Sequence, residues 1–392
     1  MLFHINFKNS TRLVASISAV ALTASLAACG GSGTQTQEKS AGGDASPGVA
    51  TSGTATNNTG ADKLALKENV RLLGAGATFP APLYQRWFAD FGKQASKVQI
   101  NYQPVGSGAG VEQFTKGTVD FGASDTGMKD EEIQKVGDKG VILLPMTAGS
   151  IVLAYNLPEV TGELKLPRQV YSDILLGKIT KWNDPKIAAA NAGVNLPDQP
   201  ITVVHRSEGS GTTGVFTKHL SAISPEWKSK VGDGKTVQWP TGVGAKGNDG
   251  VTAQIQQTKG AIGYVEYGYA KKNNIKFATL ENKAGKFVAP TDESASKALE
   301  SKELPADLRG SIPDPEGDAV YPIVTYTWLL IHKKYDKPEK AKAIEAMVEY
   351  GLTQGQKISG ELGYVPLPAK VVEKVAAAAD AISPDYKINV GK

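Results

Sequence analysis

The chain has one cysteine among 392 residues, so it cannot form an intrachain disulfide. Its four histidines, His4, His205, His219 and His332, show no metal-ligand spacing with that cysteine, and we expect neither a metal nor a cofactor. The formal net charge is only +4, and the lysines are scattered rather than interleaved with aromatic residues. This pattern argues against nucleic-acid binding and is typical of an ordinary solvated surface.

The first 28 residues predict an export signal. Lys8 and Arg12 precede an apolar stretch from residue 13 to about 26, which is shorter than the ~20 apolar residues of a comfortable membrane span. The sequence Leu-Ala-Ala-Cys at 26–29 resembles a lipobox, in which the cysteine is acylated, with palmitate for example, and becomes the mature N-terminus. An ordinary signal peptide that happens to contain a cysteine is the alternative. Acylation at Cys29 would supply more than the two anchors that stable membrane attachment requires.

Residues 29–65 predict a flexible tether, because Gly, Ser, Thr, Ala and Asn dominate from residue 30 to about 61. The random-coil reach of such a segment is on the order of 30 Å. We therefore expect an exported protein that is lipid-anchored to a membrane facing the periplasm or the cell exterior, with a folded part that can still dock on that membrane.

Three glycine-framed segments place hydroxyl side chains and unhindered amides just ahead of predicted helices. They lie at residues 74–80, 106–110 and 206–213. Helix N-termini leave amides unpaired and are electropositive, and glycine lets the backbone approach an anion closely. One such segment alone is equally typical of a plain strand-to-helix turn or a flexible loop. Three of them, with one arginine and two nearby acids, predict a site for a single tetrahedral anion.

These segments resemble the phosphate-binding lipoproteins of bacterial high-affinity phosphate ABC transporters. The resemblance runs from about Arg71 to the C-terminus and includes Val-Asp-Phe-Gly-Ala-Ser-Asp at 119–125. Further matching segments are Gly-Ala-Gly-Ala-Thr-Phe-Pro-Ala-Pro at 74–82, Gly-Ser-Gly-Thr at 209–212, Gly-Asn-Asp-Gly at 247–250 and Gly-Ala-Ile-Gly-Tyr-Val-Glu-Tyr at 260–267. We assign no ligand contact to residues 247–250, because a turn and a helix start explain them.

The resemblance implies phosphate contacts at eight positions. They are Thr78, Phe79 through its backbone amide, Ser107, Asp125, Arg206, Ser210, Gly211 and Thr212. One position departs from the family pattern, since this chain has Glu208 where the family has aspartate. The added methylene changes the reach of the carboxylate, so a direct contact between Glu208 and the ligand is left open. The implied partners are inorganic phosphate and the ABC permease subunits with their ATPase, and we expect a monomer.

The predicted contacts of Asp125 and Arg206 have a chemical reason. A guanidinium matches phosphate geometry with a bidentate fork, although Arg206 could also form a salt bridge with Glu208 or do both. An ionised carboxylate only accepts hydrogen bonds, so Asp125 suits a protonated phosphate and opposes sulfate, which has no proton to donate. Such a mismatch rejects an analogue strongly. Sulfate, molybdate and phosphonates are the alternative ligands.

The chain lacks the equipment of an enzyme acting on phosphate esters. Ser210 has no Gly-x-Ser-x-Gly frame, and the glycines from 242 to 247 are followed by Asn248 rather than by the lysine of a Walker sequence. His205 lies in a strand pattern where a packed histidine is more typical than a base. The remaining alternative class is a binder that has become a surface-anchored phosphate sensor or adhesin.

Alternating short apolar strands and amphipathic helices predict an α/β fold in which helices flank mixed sheets. Strands are expected at residues 141–145, 151–155 and 324–332, and helices from 80 to about 95 and from 337 to 354. About 330 residues exceed one comfortable core, so two lobes are expected. The resemblance implies the two-lobed periplasmic-binding-protein fold, with lobe I formed by residues 66–147 and 324–392, lobe II by residues 148–323, and the ligand in the cleft between them.

Overall fold

The computed structural model describes residues 64–391. The predicted signal peptide, Cys29 and residues 29–63 of the predicted tether lie outside the described residues. Leu64 and Leu66, at the start of the described range, are buried in the hydrophobic core. None of the helices in residues 64–391 combines the length and the apolar character that crossing a membrane requires.

Strands and helices alternate along the described chain. The strands are β1 Val70–Gly76, β2 Val98–Gln103, β3 Phe121–Ser124, β4 Val141–Tyr155, β5 Lys165–Leu166, β6 Thr202–Arg206, β7 Val243–Ala245, β8 Ala261–Glu266, β9 Lys276–Phe277, β10 Thr279–Glu281, β11 Phe287–Val288 and β12 Val324–His332. The helices are α1 Ala81–Gln94, α2 Ser107–Thr115, α3 Asp130–Gln134, α4 Arg168–Leu175, α5 Pro185–Ala190, α6 Gly211–Ile223, α7 Pro225–Lys230, α8 Gly247–Gln257, α9 Tyr267–Lys272, α10 Asp292–Glu300, α11 Pro338–Leu352, α12 Gln354–Ser359 and α13 Ala369–Ala379.

Most of the strands belong to one mixed sheet with the order β2-β1-β3-β12-β4-β8-β6-β7, and β9 pairs with β4 beside this path. Strands β1, β2 and β3 are mutually parallel, as are β8, β6 and β7. The long strands β12 and β4 run antiparallel to their neighbours and join the two parallel groups. A smaller sheet has the order β11-β10-β5.

The separate strands expected at residues 141–145 and 151–155 form a single strand, β4, in the structure. Nine of the first ten residues of β4 pair with β12, with a register shift at Met146, and from Ile151 onward the strand pairs with β8. The small residues between them suggest a break when the sequence is considered alone. The ladder with β12 continues across them, from Val324 opposite Ser150 to His332 opposite Val141.

The helix predicted from residue 80 to about 95 is α1, and its apolar face is buried as its spacing predicts. Leu83, Trp87 and Phe91 pack inward at intervals of four residues, and Phe88, three residues before Phe91, widens the same buried face. Strand β12 has the bounds expected from the sequence and is buried at every residue, because it lies between β3 and β4 in the sheet.

Candidate functional site

The predicted site residues lie where strands end and helices begin. Thr78 and Phe79 join β1 to α1, Ser107 is the first residue of α2, and Asp125 follows β3. Since β1, β2 and β3 are parallel, their carboxyl ends lie at the same edge of the sheet. Arg206 is the last residue of β6, and the loop after it leads into α6.

The Asp125 carboxylate is almost completely buried, with 1% of its surface exposed. Its Oδ1 accepts a hydrogen bond from the Thr327 hydroxyl at 2.9 Å, and its Oδ2 accepts one from the Thr212 hydroxyl at 3.2 Å. Burial raises the pKa of Asp125 to about 6, against the opposing effects of these hydroxyls and of Arg206. The carboxylate is therefore ionised at neutral pH and becomes protonated within a mildly acidic range.

Arg206 is buried, with 4% of its surface exposed, and Glu208 orients its guanidinium. Nε of Arg206 donates to Oε1 of Glu208 at 3.0 Å, and Nη2 donates to the same oxygen. Nη1 donates to the Thr212 hydroxyl at 3.4 Å. A guanidinium has five N–H groups. These contacts use three of them, so the fork keeps donors available for a second acceptor.

Glu208 binds more than the arginine. Its Oε1 also accepts a hydrogen bond from the amide of Gly247 at 3.1 Å, which ties the loop before α6 to the start of α8. Its Oε2 is buried and accepts no hydrogen bond from the described residues. The carboxylate thus positions Arg206 through one oxygen, while the other oxygen remains an acceptor.

The predicted hydroxyl residues differ in what their side chains contact. The hydroxyl of Ser107 accepts a hydrogen bond from the Asp125 amide at 3.3 Å. The Ser210 hydroxyl accepts one from the Thr213 amide at 3.1 Å and therefore caps α6. The Thr212 hydroxyl lies between Arg206 and Asp125, within hydrogen-bonding distance of both.

Backbone amides at the start of α6 precede its regular hydrogen bonds. The bond from the amide of Gly214 to the Ser210 carbonyl, at 3.0 Å, is the first of the i to i−4 type, so the amides of Gly211 and Thr212 have no partner of this type within the helix. A Cβ on Gly211 would lie 2.4 Å from Oγ of Ser107 and 2.7 Å from the Asp125 nitrogen. Only glycine permits this approach between α6 and the segments after β2 and β3.

The turn that contains Thr78 and Phe79 is held by tyrosines from distant parts of the chain. The hydroxyl of Tyr269 donates to the Thr78 carbonyl at 2.6 Å, and that of Tyr364 donates to the Phe79 carbonyl at 2.8 Å. The amide of Phe79 donates no hydrogen bond to the described residues, whereas the ring is buried in the core. The two carbonyls are thus fixed by hydrogen bonds, while the Phe79 amide keeps its donor available.

Two loops meet directly at the site. The amide of Gly108 donates to the Gly209 carbonyl at 2.8 Å, which joins the start of α2 to the loop before α6. The described residues therefore contact one another across the site by main-chain as well as side-chain hydrogen bonds.

Sequence reasoning missed two residues of this site. Thr327 donates to Asp125, and a sequence signal for it existed, because two threonines interrupt the otherwise apolar strand β12. The sequence predicts a turn and a helix start at Asn248, and the residue does lie in the first turn of α8. Its buried side chain also contacts Thr78 and Thr212, and no local sequence pattern indicates those distant partners.

The residues considered for catalysis and for metal binding have other contacts. The ring of His205 stacks on Trp239 with centroids 4.9 Å apart, which is a packing contact. Within residues 64–391, no group of three or more His, Cys, Asp or Glu side chains is arranged to hold a metal ion.

Comparisons with known proteins agree on one family. A family model described as a PBP superfamily domain matches residues 33–353. The chain is 47% identical over 309 residues to a phosphate-binding protein PstS of Pasteurella multocida, covering 78% of this chain and 89% of that protein. It is 43% identical over 307 residues to a phosphate-binding protein PstS of Haemophilus influenzae, covering 78% of this chain and 91% of that protein.

A solved phosphate-binding protein from Stenotrophomonas maltophilia has a similar fold, with a TM-score of 0.65 at 19% identity over 81% of this chain and 99% of that chain. The predicted fold class, a two-lobed periplasmic-binding-protein fold with mixed sheets flanked by helices, is confirmed. The curated relatives are named as binding proteins, in agreement with the expectation that the chain is not an enzyme. The chain belongs to the PBP superfamily and, within it, to the family of phosphate-binding proteins named PstS.

Proposed function

We propose that this chain captures inorganic phosphate outside the cytoplasmic membrane and delivers it to an ABC permease and its ATPase for import. The observation that carries the proposal is the buried pair of Arg206 and Asp125, which the Thr212 hydroxyl joins. A buried cation and a buried acceptor, both close to unpaired helix amides, suit an anion that carries its own proton. The names of the curated relatives support phosphate as that anion.

The proposed ligand set is Thr78, Phe79, Ser107, Asp125, Arg206, Glu208, Ser210, Gly211 and Thr212. The free N–H groups of Arg206 and the amides of Phe79, Gly211 and Thr212 donate to phosphate oxygens. The Ser210 hydroxyl accepts from Thr213, which leaves its proton for the ligand. Glu208 acts by orienting Arg206, and its Oε2 is a second acceptor for a ligand proton.

Asp125 provides the selectivity in this proposal. Monohydrogen and dihydrogen phosphate can donate a hydrogen bond to the carboxylate, whereas sulfate opposes it acceptor to acceptor. Burial raises the pKa of Asp125 to about 6, which still lies below neutral pH, so the carboxylate stays ionised there and can discriminate against sulfate.

Closure between two lobes is part of the proposal. Lobe I comprises residues 66–147 and 324–392, lobe II comprises residues 148–323, and phosphate binds in the cleft between them. The change of β4 from pairing with β12 to pairing with β8, at Ser150 and Ile151, supports a crossing in this region. The hydrogen bond from Gly108 to Gly209 is the kind of contact that would form as the lobes close.

We further propose that residues 1–28 are a lipoprotein signal peptide, that Cys29 is acylated, and that the segment that follows tethers a monomeric receptor to the membrane. The tether predicted to end at residue 65 then ends one or two residues earlier, because Leu64 already packs in the core. The motivating pattern is the single cysteine after Leu-Ala-Ala, followed by a Gly- and Ser-rich stretch. A tethered receptor stays near its permease, which raises its effective concentration there.

Uptake of radiolabelled phosphate by source cells that lack this chain tests the transport role. We expect the wild-type chain to restore uptake at low phosphate and Arg206→Ala to fail, while Arg86→Ala, which alters an exposed arginine of α1, restores it. Equal uptake with and without the chain would contradict the proposal.

A further inference from the structure

We propose that Asn248 is a positioning residue that fixes the direction of the Thr78 hydroxyl, so that this hydroxyl can act only as a donor to the bound anion. The inference rests on the proposed function and extends it to a residue outside the predicted ligand set. It is argued from a set of hydrogen bonds that occupies both lone pairs of the Thr78 hydroxyl and both of the Thr212 hydroxyl.

The Asn248 side chain has a defined orientation. The residue is completely buried, and its Oδ1 accepts a hydrogen bond from the Glu266 amide at 2.9 Å. Because that amide can only donate, the carboxamide oxygen must face β8. The Nδ2 group then faces the opposite way, toward the site.

Both donors of the Nδ2 group are directed at threonine hydroxyls. Nδ2 lies 2.9 Å from Oγ1 of Thr78 and 3.3 Å from Oγ1 of Thr212. The backbone amide of Asn248 also donates to Oγ1 of Thr78, at 3.1 Å. One residue at the start of α8 therefore contacts two hydroxyls that belong to distant segments of the chain.

The direction of each hydroxyl proton follows from counting. A hydroxyl has one proton and two lone pairs. Thr78 accepts two hydrogen bonds from Asn248, so its oxygen has no lone pair left, and its proton must point away from Asn248. Thr212 accepts from Asn248 and from Arg206, so its proton is directed to Oδ2 of Asp125.

This arrangement gives the site a fixed polarity. Thr78 presents a proton to the anion, and Asp125 remains the acceptor for the ligand's own proton. Without the side-chain carboxamide of Asn248, the Thr78 hydroxyl could rotate and present a lone pair to the anion instead. That lone pair would oppose a phosphate oxygen. The mismatch loses one hydrogen bond to a charged group, so we expect the affinity for phosphate to fall on the order of tenfold to a hundredfold.

A double-mutant cycle with Thr78 tests the assignment, read by calorimetric titration of the purified full chain with inorganic phosphate. We expect Asn248→Ala and Thr78→Val each to weaken phosphate binding. The double variant should bind no more weakly than the single variant with the larger loss, because the Asn248 carboxamide acts through the Thr78 hydroxyl. A merely structural role would give losses that multiply. Thr252→Val is the matched control, because the hydroxyl of this buried α8 residue donates to the Asn248 carbonyl and not to a side chain of the site, and we expect near wild-type affinity.

A second variant separates an effect on binding from an effect on folding. Asn248→Asp keeps the size of the side chain and an oxygen that can accept from Glu266, but it replaces the Nδ2 donors with an acceptor. We expect this variant to fold and to bind phosphate more weakly than wild type. In chains that already carry Thr78→Val, adding Asn248→Asp should not change the affinity for phosphate. Phosphate affinity equal to wild type in either Asn248 variant, or multiplicative losses with Thr78→Val, would overturn the assignment alone. A wild-type chain that binds no phosphate would overturn the proposed function and this assignment with it.

Discussion

The substitution Asp125→Asn should reduce the preference for phosphate over sulfate more than it reduces phosphate binding itself. The variant keeps the size of the side chain and loses its charge. In the wild type, the buried carboxylate accepts from Thr327 and Thr212 and can accept one more hydrogen bond, from the ligand. Asparagine presents an N–H group there, which suits a sulfate oxygen.

The magnitude follows from the two hydrogen-bonding situations. A phosphate proton donated to a carboxylate contributes about 1.5–3 kcal/mol, and an acceptor left facing an acceptor costs about 1–3 kcal/mol. The general repulsion between a carboxylate and a doubly charged anion acts on both ligands, so it cancels in the ratio of their affinities. Together the two contributions predict that Asp125→Asn lowers the ratio of phosphate affinity to sulfate affinity on the order of a hundredfold to ten thousandfold.

Calorimetric titration of both variants with phosphate and with sulfate at pH 8 measures this ratio. Asp120→Asn is the matched control, because Asp120 lies close in sequence but binds the Leu73 amide and Lys340. The pKa of Asp125 is raised to about 6, so its carboxyl is ionised above that pH and neutral below it. Selectivity of the wild type should therefore decline as pH falls through about 6, while that of Asp125→Asn stays flat there. An unchanged phosphate-to-sulfate ratio in Asp125→Asn would refute the reasoning.

Three further outcomes are expected. Cys29→Ser should move the protein from membrane to soluble fractions, and continued membrane association would contradict lipid anchoring. Gly211→Ala should abolish detectable phosphate binding in titrations while the chain stays folded, because its Cβ would lie 2.7 Å from the backbone nitrogen of Asp125; binding within a few-fold of wild type would contradict the close approach. Glu266→Gln should raise the unfolding temperature at neutral pH, because burial raises the pKa of Glu266 well above its ordinary value and folding then disfavours the ionised form. This gain should vanish as pH falls toward the unfolded-state pKa of about 4.3, and a gain that grows on acidification would have the wrong sign.

The parts of the fold with a strong local pattern were predictable. Helix α1 and strand β12 have bounds within one residue of those expected. The apolar spacing of α1 extends over about a dozen residues, and β12 is a continuous run of mostly apolar residues. The short strands β5, β10 and β11 were not expected. Two or three residues carry no periodicity, and the pairing of these strands depends on partners far along the chain.

The continuity of β4 could not be seen from its own sequence. Gly149 suggests a break, yet it lies within the strand, and a Cβ there would lie 2.9 Å from Cζ of Phe79. The glycine therefore accommodates a ring from the site segment rather than ending the strand. Likewise Asn248 begins a helix, as expected, but its contacts with Thr78 span 170 residues of sequence. Local patterns predict elements, whereas the side chains that orient the site residues depend on tertiary packing.

The most direct test of the account is a titration of the purified full chain, freed of bound ligand by unfolding and refolding, against phosphate and then sulfate at neutral pH. A phosphate receptor in which Asp125 excludes sulfate should bind one phosphate per chain at micromolar affinity or tighter, about −8 kcal/mol or more favourable, and give no heat with sulfate. Equal binding of both anions would leave an anion receptor without the role assigned to Asp125, and binding of neither would contradict the phosphate-receptor function itself.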